Sequence, residues 1–519
     1  MPHFDPSRYE QPKKCTNLTM VFTMKKVERN QNLTYHKATP EKGVDTILVT
    51  GATGYVGGRL VTALLSKGHK VRIMARVADD ECRERWPGVE IVVADALNLE
   101  QLLIALEGVH TAFYLIHSLL LGPKKFRDAD TRAATNFRLA AEANEIQRII
   151  YLGALGDSQT LLSTHLRSRI EVAEHLQRGL VATTELRAAI IIGSGSASYE
   201  ILKNLVRRLP IFLLPAWART ECQPISIRGL IHVLIGVMNE YETAGKSYDI
   251  GGMEILTYEK MLRIMSHTMG RKKLFAHTPL SSIRVYAYIA SLLTPVPATI
   301  IRALMEGCRN KVVCNPQNLL PERLYQPIPF KEAIVKAMSR EEQDAVHTRW
   351  SDEYPPAHEL AIKLKELKKP PEYISVYSIF STKSAEALFR SICRIGGTEG
   401  WFHANWMWRL RGMLDRLLLG VGTSRGRRSA STLRVNDVVD FWRVERLVRD
   451  ENLLLRAEMK LPGKAWLEFR IDPENHGNRL AVTAYYEPHG LPGRLYWYNF
   501  LPFHYFIFTN LIKQLDRMS

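Results

Sequence analysis

Asp45 to Asp80 reads DTILVTGATGYVGGRLVTALLSKGHKVRIMARVADD, and no other segment of the chain constrains the fold as much. Ile47 to Thr50 is a short aliphatic, β-branched run of the kind that forms a buried parallel strand. Gly51, Gly54 and Gly57 follow at intervals of three. Leu60, Val61, Leu64 and Leu65 then recur at helical spacing up to Gly68, a helix stop, and Val71 to Ala75 is the next strand. The unit is therefore strand, glycine turn, helix, strand. In such a unit one glycine permits the tight turn, one lets a pyrophosphate approach the backbone, and one lets helix and strand pack closely. The helix N-terminus supplies free N–H donors and a positive dipole end. The flanking elements give the triplet the context it requires; the bland alternative is a glycine-rich turn that binds nothing.

The second strand ends at Ala75-Arg76, where an NAD-selective site places an acid for the ribose hydroxyls. A guanidinium there suits the 2′-phosphate of NADP, so NADP(H) is expected over NAD(H). Arg76 as a solvated surface residue is the alternative, and Asp79 or Asp80 lies near enough to reach a ribose.

Beyond this unit, Val89 to Asp95, Thr111 to Ile116, Arg148 to Leu152 and Leu186 to Ile192 read as strands. Leu99 to Leu106, Arg132 to Ala143 and His165 to Leu176 read as the helices between them. That alternation predicts an α/β domain with a doubly wound parallel sheet. The segments TGATGYVG, VVADALN, FYLIHSL and YLGALG resemble the atypical branch of the short-chain dehydrogenase/reductase family, of the NmrA-like, extended type. QPISIRGL and YDIGGMEILTYEKML resemble that family's later segment, which builds a small substrate lobe. The likeness covers about residues 45 to 275, with weaker continuity to about 345.

The resemblance implies that the turn of Gly51, Thr53, Gly54, Tyr55, Val56 and Gly57 holds the pyrophosphate. It places Asp95 and Ala96 by the adenine, and Leu115, Ile116 and His117 beside the nicotinamide ribose. For Asp95 a helix-capping role before Asn98-Leu99 stands equally open. Active members of the family use a Tyr-x-x-x-Lys pair and a nearby serine. Here STHLRSRIEVAEHL occupies that helix, with His165 and Arg169 at the matching spacing on one helix face. Histidine can act as an acid or base near neutrality, and arginine can hold ribose or phosphate. The departure puts catalysis in doubt: His165 as a helix N-terminal residue and Arg169 as a surface or phosphate contact is the competing account. The serine position is also altered, since YLGALGDS presents Gly153, Ala154 and Gly156 with Ser158 displaced. Gly193 to Ser198, GSGSAS, faces substrate by the resemblance, or else is a flexible turn.

At 519 residues the chain is long enough for two or three domains, and 46% apolar content suffices for sizeable cores. Its six scattered cysteines, without a CxxC pair or a zinc spacing at Cys308 and Cys314, fit reduced thiols, a cytoplasmic setting and no metal. A net charge of +17 raises the question of nucleic acid, but the basic residues are dispersed and no helix-turn-helix or RNA-binding signature appears; no nucleic-acid partner is expected. Residues 1–44 have no sustained period and read as a disordered basic arm. Val285 to Ile301 and Leu495 to Ile512 approach membrane length. Pro295 and Pro297 interrupt the first, and Asn499, Pro502, His504 and Asn510 the second, so buried or interfacial helices are expected.

From Lys331 to Pro371 the composition turns charged and proline-rich, as in a linker with one short helix. The expected organisation is a nucleotide-binding domain over 45–345, a linker over 346–373 and a second domain over 374–519. In the second, LLLRAEMKLPGKAWLEFRI reads as a hairpin turning at Pro462-Gly463, Arg479 to Glu487 as a strand with Leu480, Val482, Ala484 and Tyr486 on one face, and Gly493 to Leu515 as a long aromatic helix. This α+β pattern suggests a helix-grip domain with a cavity between sheet and helix. GGTEGWFHANWMWRLRGMLD and DFWRVERL resemble an uncharacterised C-terminal domain that follows atypical reductase domains in bacteria. Trp401, Trp406 and Trp408 near Arg409 and Arg411 suit an amphipathic ligand site, a membrane face, or a core. Three functions follow: an NAD(P)H-dependent oxidoreductase for a hydrophobic or lipid-like small molecule, a non-catalytic nucleotide-bound sensor or assembly factor, or a protein docking peripherally on an anionic membrane.

Overall fold

Seven strands alternate with helices and pair in parallel throughout. They are β1 (Thr46–Val49), β2 (Lys70–Ala75), β3 (Glu90–Val93), β4 (Val109–Tyr114), β5 (Arg148–Ala154), β6 (Ala182–Ala188) and β7 (Ser247–Ile250), in the order β7-β6-β5-β4-β1-β2-β3. The computed structural model describes residues 45–76, 80–116, 126–156, 163–342, 363–367, 369–397, 400–402, 404–418 and 432–519, with the single positions 420, 422 and 427. The order reverses between β1 and β4, each of which pairs with the other at Ile47 and Thr111. At such a switch point the strand ends leave a crevice for ligand.

The sixth strand begins four residues earlier than the apolar pattern suggests. Its first half is Ala182-Thr183-Thr184-Glu185, of which Thr183, Thr184 and Glu185 are polar and buried. Those groups are satisfied inside the fold: the Arg148 guanidinium donates to Thr184 Oγ1 at 3.1 Å, and Thr184 Oγ1 donates to Thr243 O at 2.8 Å. A buried strand whose polar groups are paired carries no apolar run to read.

A smaller lobe follows, in which the helices Ala197–Arg208, Tyr258–Thr268, Ile283–Leu293, Ala298–Gly307 and Phe330–Glu342 pack beside the crevice. The last of these covers the start of the charged segment that reads as linker. Phe330, Ala333, Ile334 and Ala337 recur at helical spacing and are buried in the lobe.

The second sheet is antiparallel. Its strands are β8 (Tyr373–Ser381), β9 (Val438–Val439), β10 (Trp442–Val448), β11 (Asn452–Ala457), β12 (Gly463–Glu474) and β13 (Gly477–Pro488), in the order β8-β13-β12-β11-β10-β9. The long helix Gly490–Arg517 closes it, burying Trp497, Ile507, Phe508, Leu511 and Leu515. Alternation fixes the strand register, and Leu480, Val482, Ala484 and Tyr486 all face inward. The space expected to be open between sheet and helix is filled by Leu453, Leu455, Leu467, Phe469 and their neighbours. Both sheets lie within one unit, residues 44–519. Among the described residues no helix is long and apolar enough to cross a membrane.

Within this core the Arg443 guanidinium donates to Glu458 Oε1 at 2.6 Å, with side chains 3% and 0% exposed. A buried pair is costly to break from one side, because the remaining charge stays in a medium that cannot solvate it. Glu458→Ala is expected to lower unfolding free energy by about 3–5 kcal/mol, read from urea denaturation. A loss below about 1 kcal/mol would show that water reaches Arg443.

Candidate functional site

The glycine turn is set by close packing at the strand ends. Gly51 has φ +61°, and a Cβ there would lie 2.8 Å from Leu115 O. A Cβ on Gly57 would lie 2.1 Å from Gly51 O, so side chains are excluded at both positions. Thr50 ties this turn to the neighbouring strand: its Oγ1 donates to Phe113 O at 3.0 Å and accepts from the Leu115 N–H at 3.0 Å. Gly54 is the N-cap of helix Tyr55–Ser66 and supplies no side-chain cap. The helix's first N–H groups are thus left to a ligand or water. A cradle that a methyl group would fill, beside an uncapped helix start, fits a pyrophosphate.

The helix is held toward the substrate lobe by Arg59, whose guanidinium donates to Ser194 O at 2.8 Å and sits 4.9 Å from the Tyr55 ring centroid. Gly193 makes room for that ring, since a Cβ there would lie 2.6 Å from the Tyr55 hydroxyl. The GSGSAS segment is therefore a turn, with Ser196 capping the next helix by accepting from the Tyr199 N–H, and it is also a wall of the site.

That site is a cavity of about 590 Å³. Its walls run from Gly51, Gly54 and Gly57 past Leu115 and Ala154 to His165 and Arg169. They continue through Leu202, Phe212, Met261 and Ile300 of the lobe, a mostly apolar lining in which Tyr258 and Tyr286 also take part. The size suits a small-molecule ligand with a long apolar part. Its far wall comes from helices that look like ordinary core in the sequence. The uncharged stretch from Val285 contributes Val285, Ile289 and Ala290 to it.

His165 and Arg169 lie on helix Thr164–Gln177, one turn apart, and both face the cavity. Burial, reinforced by the Arg169 charge, pushes the His165 imidazole down to about 3. Histidine there is neutral near pH 7, an N–H donor or lone-pair acceptor and not an imidazolium. Arg169 spans the crevice, its guanidinium donating to Ile116 O at 3.5 Å, while Tyr151 Oη donates to Arg169 O at 3.0 Å. Burial pushes the Tyr151 phenol up to about 12.

Of the remaining expected residues, Tyr55, Val56 and Leu115 line the cavity, and Ala96 is buried where β3 ends. Thr53 sits in the turn itself, and Arg76 is exposed directly after β2. Asp95 orders its own turn by accepting from the Leu97 N–H at 2.9 Å, while Asn98, not Asp95, caps the following helix. His117, Ser118, Ser158 and Asp79 lie outside the described residues. Thr50 and Arg59 were not legible as site residues, because a threonine ending a strand and an arginine on a helix carry no motif.

Comparison with known proteins matches residues 43–308 to the NmrA-like family. Residues 369–511 match a second family, DUF2867, of unknown function. The chain is 24% identical over 225 residues to a mitochondrial NADH dehydrogenase (ubiquinone) 1 alpha subcomplex subunit 9 from Arabidopsis thaliana, covering 42% of this chain and 56% of that one. It is 27% identical over 252 residues to a chloroplastic divinyl chlorophyllide a 8-vinyl-reductase from Zea mays, covering 45% of this chain and 62% of that one. A ceramide reductase from Caulobacter vibrioides is 25% identical over 262 residues, 47% of this chain and 75% of that one. The match spans less than two thirds of the first two relatives.

Proposed function

The chain belongs to the NmrA-like family, with a distinct DUF2867 domain after it, and from that premise we propose an NADP(H)-dependent oxidoreductase that acts on a hydrophobic, lipid-like small molecule. The observation that carries this reading is the cavity: one apolar space of about 590 Å³ begins at the glycine turn and passes His165. Two relatives are reductases by name, one of divinyl chlorophyllide and one of ceramide, which supports the same substrate class.

The residues divide the work by chemistry. The turn from Gly51 to Gly57 would hold the pyrophosphate and Arg76 the 2′-phosphate, while the bound cofactor supplies a hydride. The apolar walls exclude water and hold the substrate's long part. His165, kept neutral by burial, hydrogen-bonds through its N–H to the substrate oxygen, as a neutral imidazole can polarise a carbonyl, and the proton that completes the reduced product comes from solvent as it leaves. Arg169 keeps the helix and the end of β4 at fixed separation. The test is a screen of quinones, acyl lipids and hydrophobic ketones for oxidation of NADPH by the full chain. A hydrophilic substrate turned over in preference to all of these would overturn the reading.

Cofactor choice has its own test. Arg76→Ala is expected to weaken NADPH binding by about 1.5–3 kcal/mol, roughly 10- to 150-fold, and leave NADH binding almost unchanged. Equal losses for the two nucleotides would show that Arg76 does not meet the 2′-phosphate.

A second reading is favoured by one observation. Helix Thr164–Gln177 contains neither tyrosine nor lysine, so the chain fits a sensor or assembly factor that keeps its nucleotide as a structural ligand. Bound NADPH that no compound oxidises would support this second reading over the first.

A further inference from the structure

Helix Asn405–Leu417 packs Met407 and Trp408 against the core and carries a second apolar stripe on its outer face. Trp406, Leu410, Met413, Leu414 and Leu417 fall on one helical face, and all are exposed, Trp406 at 67% and Leu414 at 52%. The opposite face buries Asp415 and Arg416. Those charges are well served. Asp415 accepts from the Gly422 and Lys460 N–H groups, each at 2.7 Å, and Arg416 donates to the carbonyls of Leu292 and Thr294. A water-facing helix places its apolar stripe inward. This one presents a further stripe outward.

The apolar surface continues on both sides. Arg411 sits 5.2 Å from the Tyr496 ring centroid and 5.9 Å from that of Phe500, joining this helix to Gly490–Arg517. There Leu491, Leu495, Tyr498, Phe503, Tyr505 and Phe506 are exposed. On the other side the Arg416 contacts seat the helix against the end of Ile283–Leu293. That helix exposes Val285 and Ile289, which are also walls of the cavity, as are exposed Leu213 and Leu280. One surface thus runs from the cavity rim to the last helix.

Its charge selects the occupant. In the helices Ile283–Leu293 and Asn405–Leu417 the sole acid is Asp415, which is buried, and in Gly490–Arg517 it is Asp516, near the far end, whereas Arg284 and Arg409 are exposed. Arg494 is paired with exposed Glu372 at 3.3 Å, which leaves Arg284 and Arg409 as the cations beside the exposed aromatic and aliphatic groups, a combination that matches the boundary of an anionic bilayer. Apolar contact alone would serve a second copy of the chain, but that copy would bring the same arginines to the interface.

We infer that this surface docks the protein on an anionic lipid bilayer, with the cavity rim at the membrane, so that a lipid-like substrate enters without crossing water. The entry route rests on the proposed reading of the cavity; the docking does not. It is tested by flotation of the full chain with vesicles of phosphatidylcholine alone or mixed equally with phosphatidylglycerol, with no nucleotide or substrate added. Binding to the mixed vesicles is expected, with much less on phosphatidylcholine. Leu410→Glu combined with Leu414→Glu should lower the partition coefficient at least about tenfold while thermal unfolding stays unchanged. Because both side chains are exposed, the variant is expected to fold; if it does not, Trp406→Ser with Tyr498→Ser gives the same readout. Absent binding to mixed vesicles, or binding unaffected by the substitutions, overturns the inference. So does a stable dimer in light scattering that the double variant dissociates while vesicles capture neither form. Failure of NADPH binding would leave this result untouched.

Discussion

Gly57→Ala is expected to abolish useful nucleotide binding. The added methyl would lie 2.1 Å from Gly51 O and 3.0 Å from Ala52 Cα, and both obstacles are backbone. No side-chain rotation relieves that contact, so the turn must open or the helix Tyr55–Ser66 must withdraw. A shift of about 1 Å at a positioning element costs on the order of 10²-fold. Affinity for NADPH should fall by at least that factor, with a stability loss of about 1–3 kcal/mol from overpacking. Isothermal titration and thermal unfolding measure the two separately. Unchanged affinity would mean that the ligand does not touch this turn.

His165→Ala carries the second large effect. The imidazole lies in an apolar wall and is held neutral, so its N–H acts where water cannot replace it. Removing one such donor should lower turnover roughly 10²–10³-fold while leaving NADPH affinity intact. The same group shapes acid stability. Its folded-state value, about 3, lies below the ordinary 6.5. As pH falls through 6.5 the unfolded chain takes up a proton that the folded chain refuses until near 3, so the wild type loses stability over that window. At pH 5 this difference approaches about 2 kcal/mol, and His165→Ala should lack it. Parallel stability curves for the two proteins between pH 7 and 5 would show that His165 is solvated.

Much of the fold was legible because periodicity reports burial directly. Leu60, Val61 and Leu64 mark a helix face, Leu480, Val482 and Ala484 a strand face, and both are buried as their spacing requires. The sixth strand starts before its apolar run because Thr183, Thr184 and Glu185 are buried polar groups paired within the fold. The glycine turn was legible since its glycines answer a steric demand that few other contexts make. The cavity was not, because an apolar side chain facing a void has the same sequence signature as one facing a neighbour. Leu202, Phe212 and Met261 differ from ordinary core only in what lies opposite them. The tryptophans separated for a related reason. Trp401 is buried with Trp408 stacked 4.5 Å away, whereas Trp406, two residues before Trp408, faces outward. Composition alone does not distinguish those environments.

The proposed function requires one apolar cavity to join a dinucleotide site to a hydrophobic substrate. A crystal structure of the full chain with NADPH tests it most directly. The pyrophosphate is expected against Gly51–Gly57, the 2′-phosphate at Arg76, and the nicotinamide ring entering the cavity on the His165 side. A nucleotide bound away from the glycine turn, or a nicotinamide ring turned out of the cavity into solvent, would contradict it.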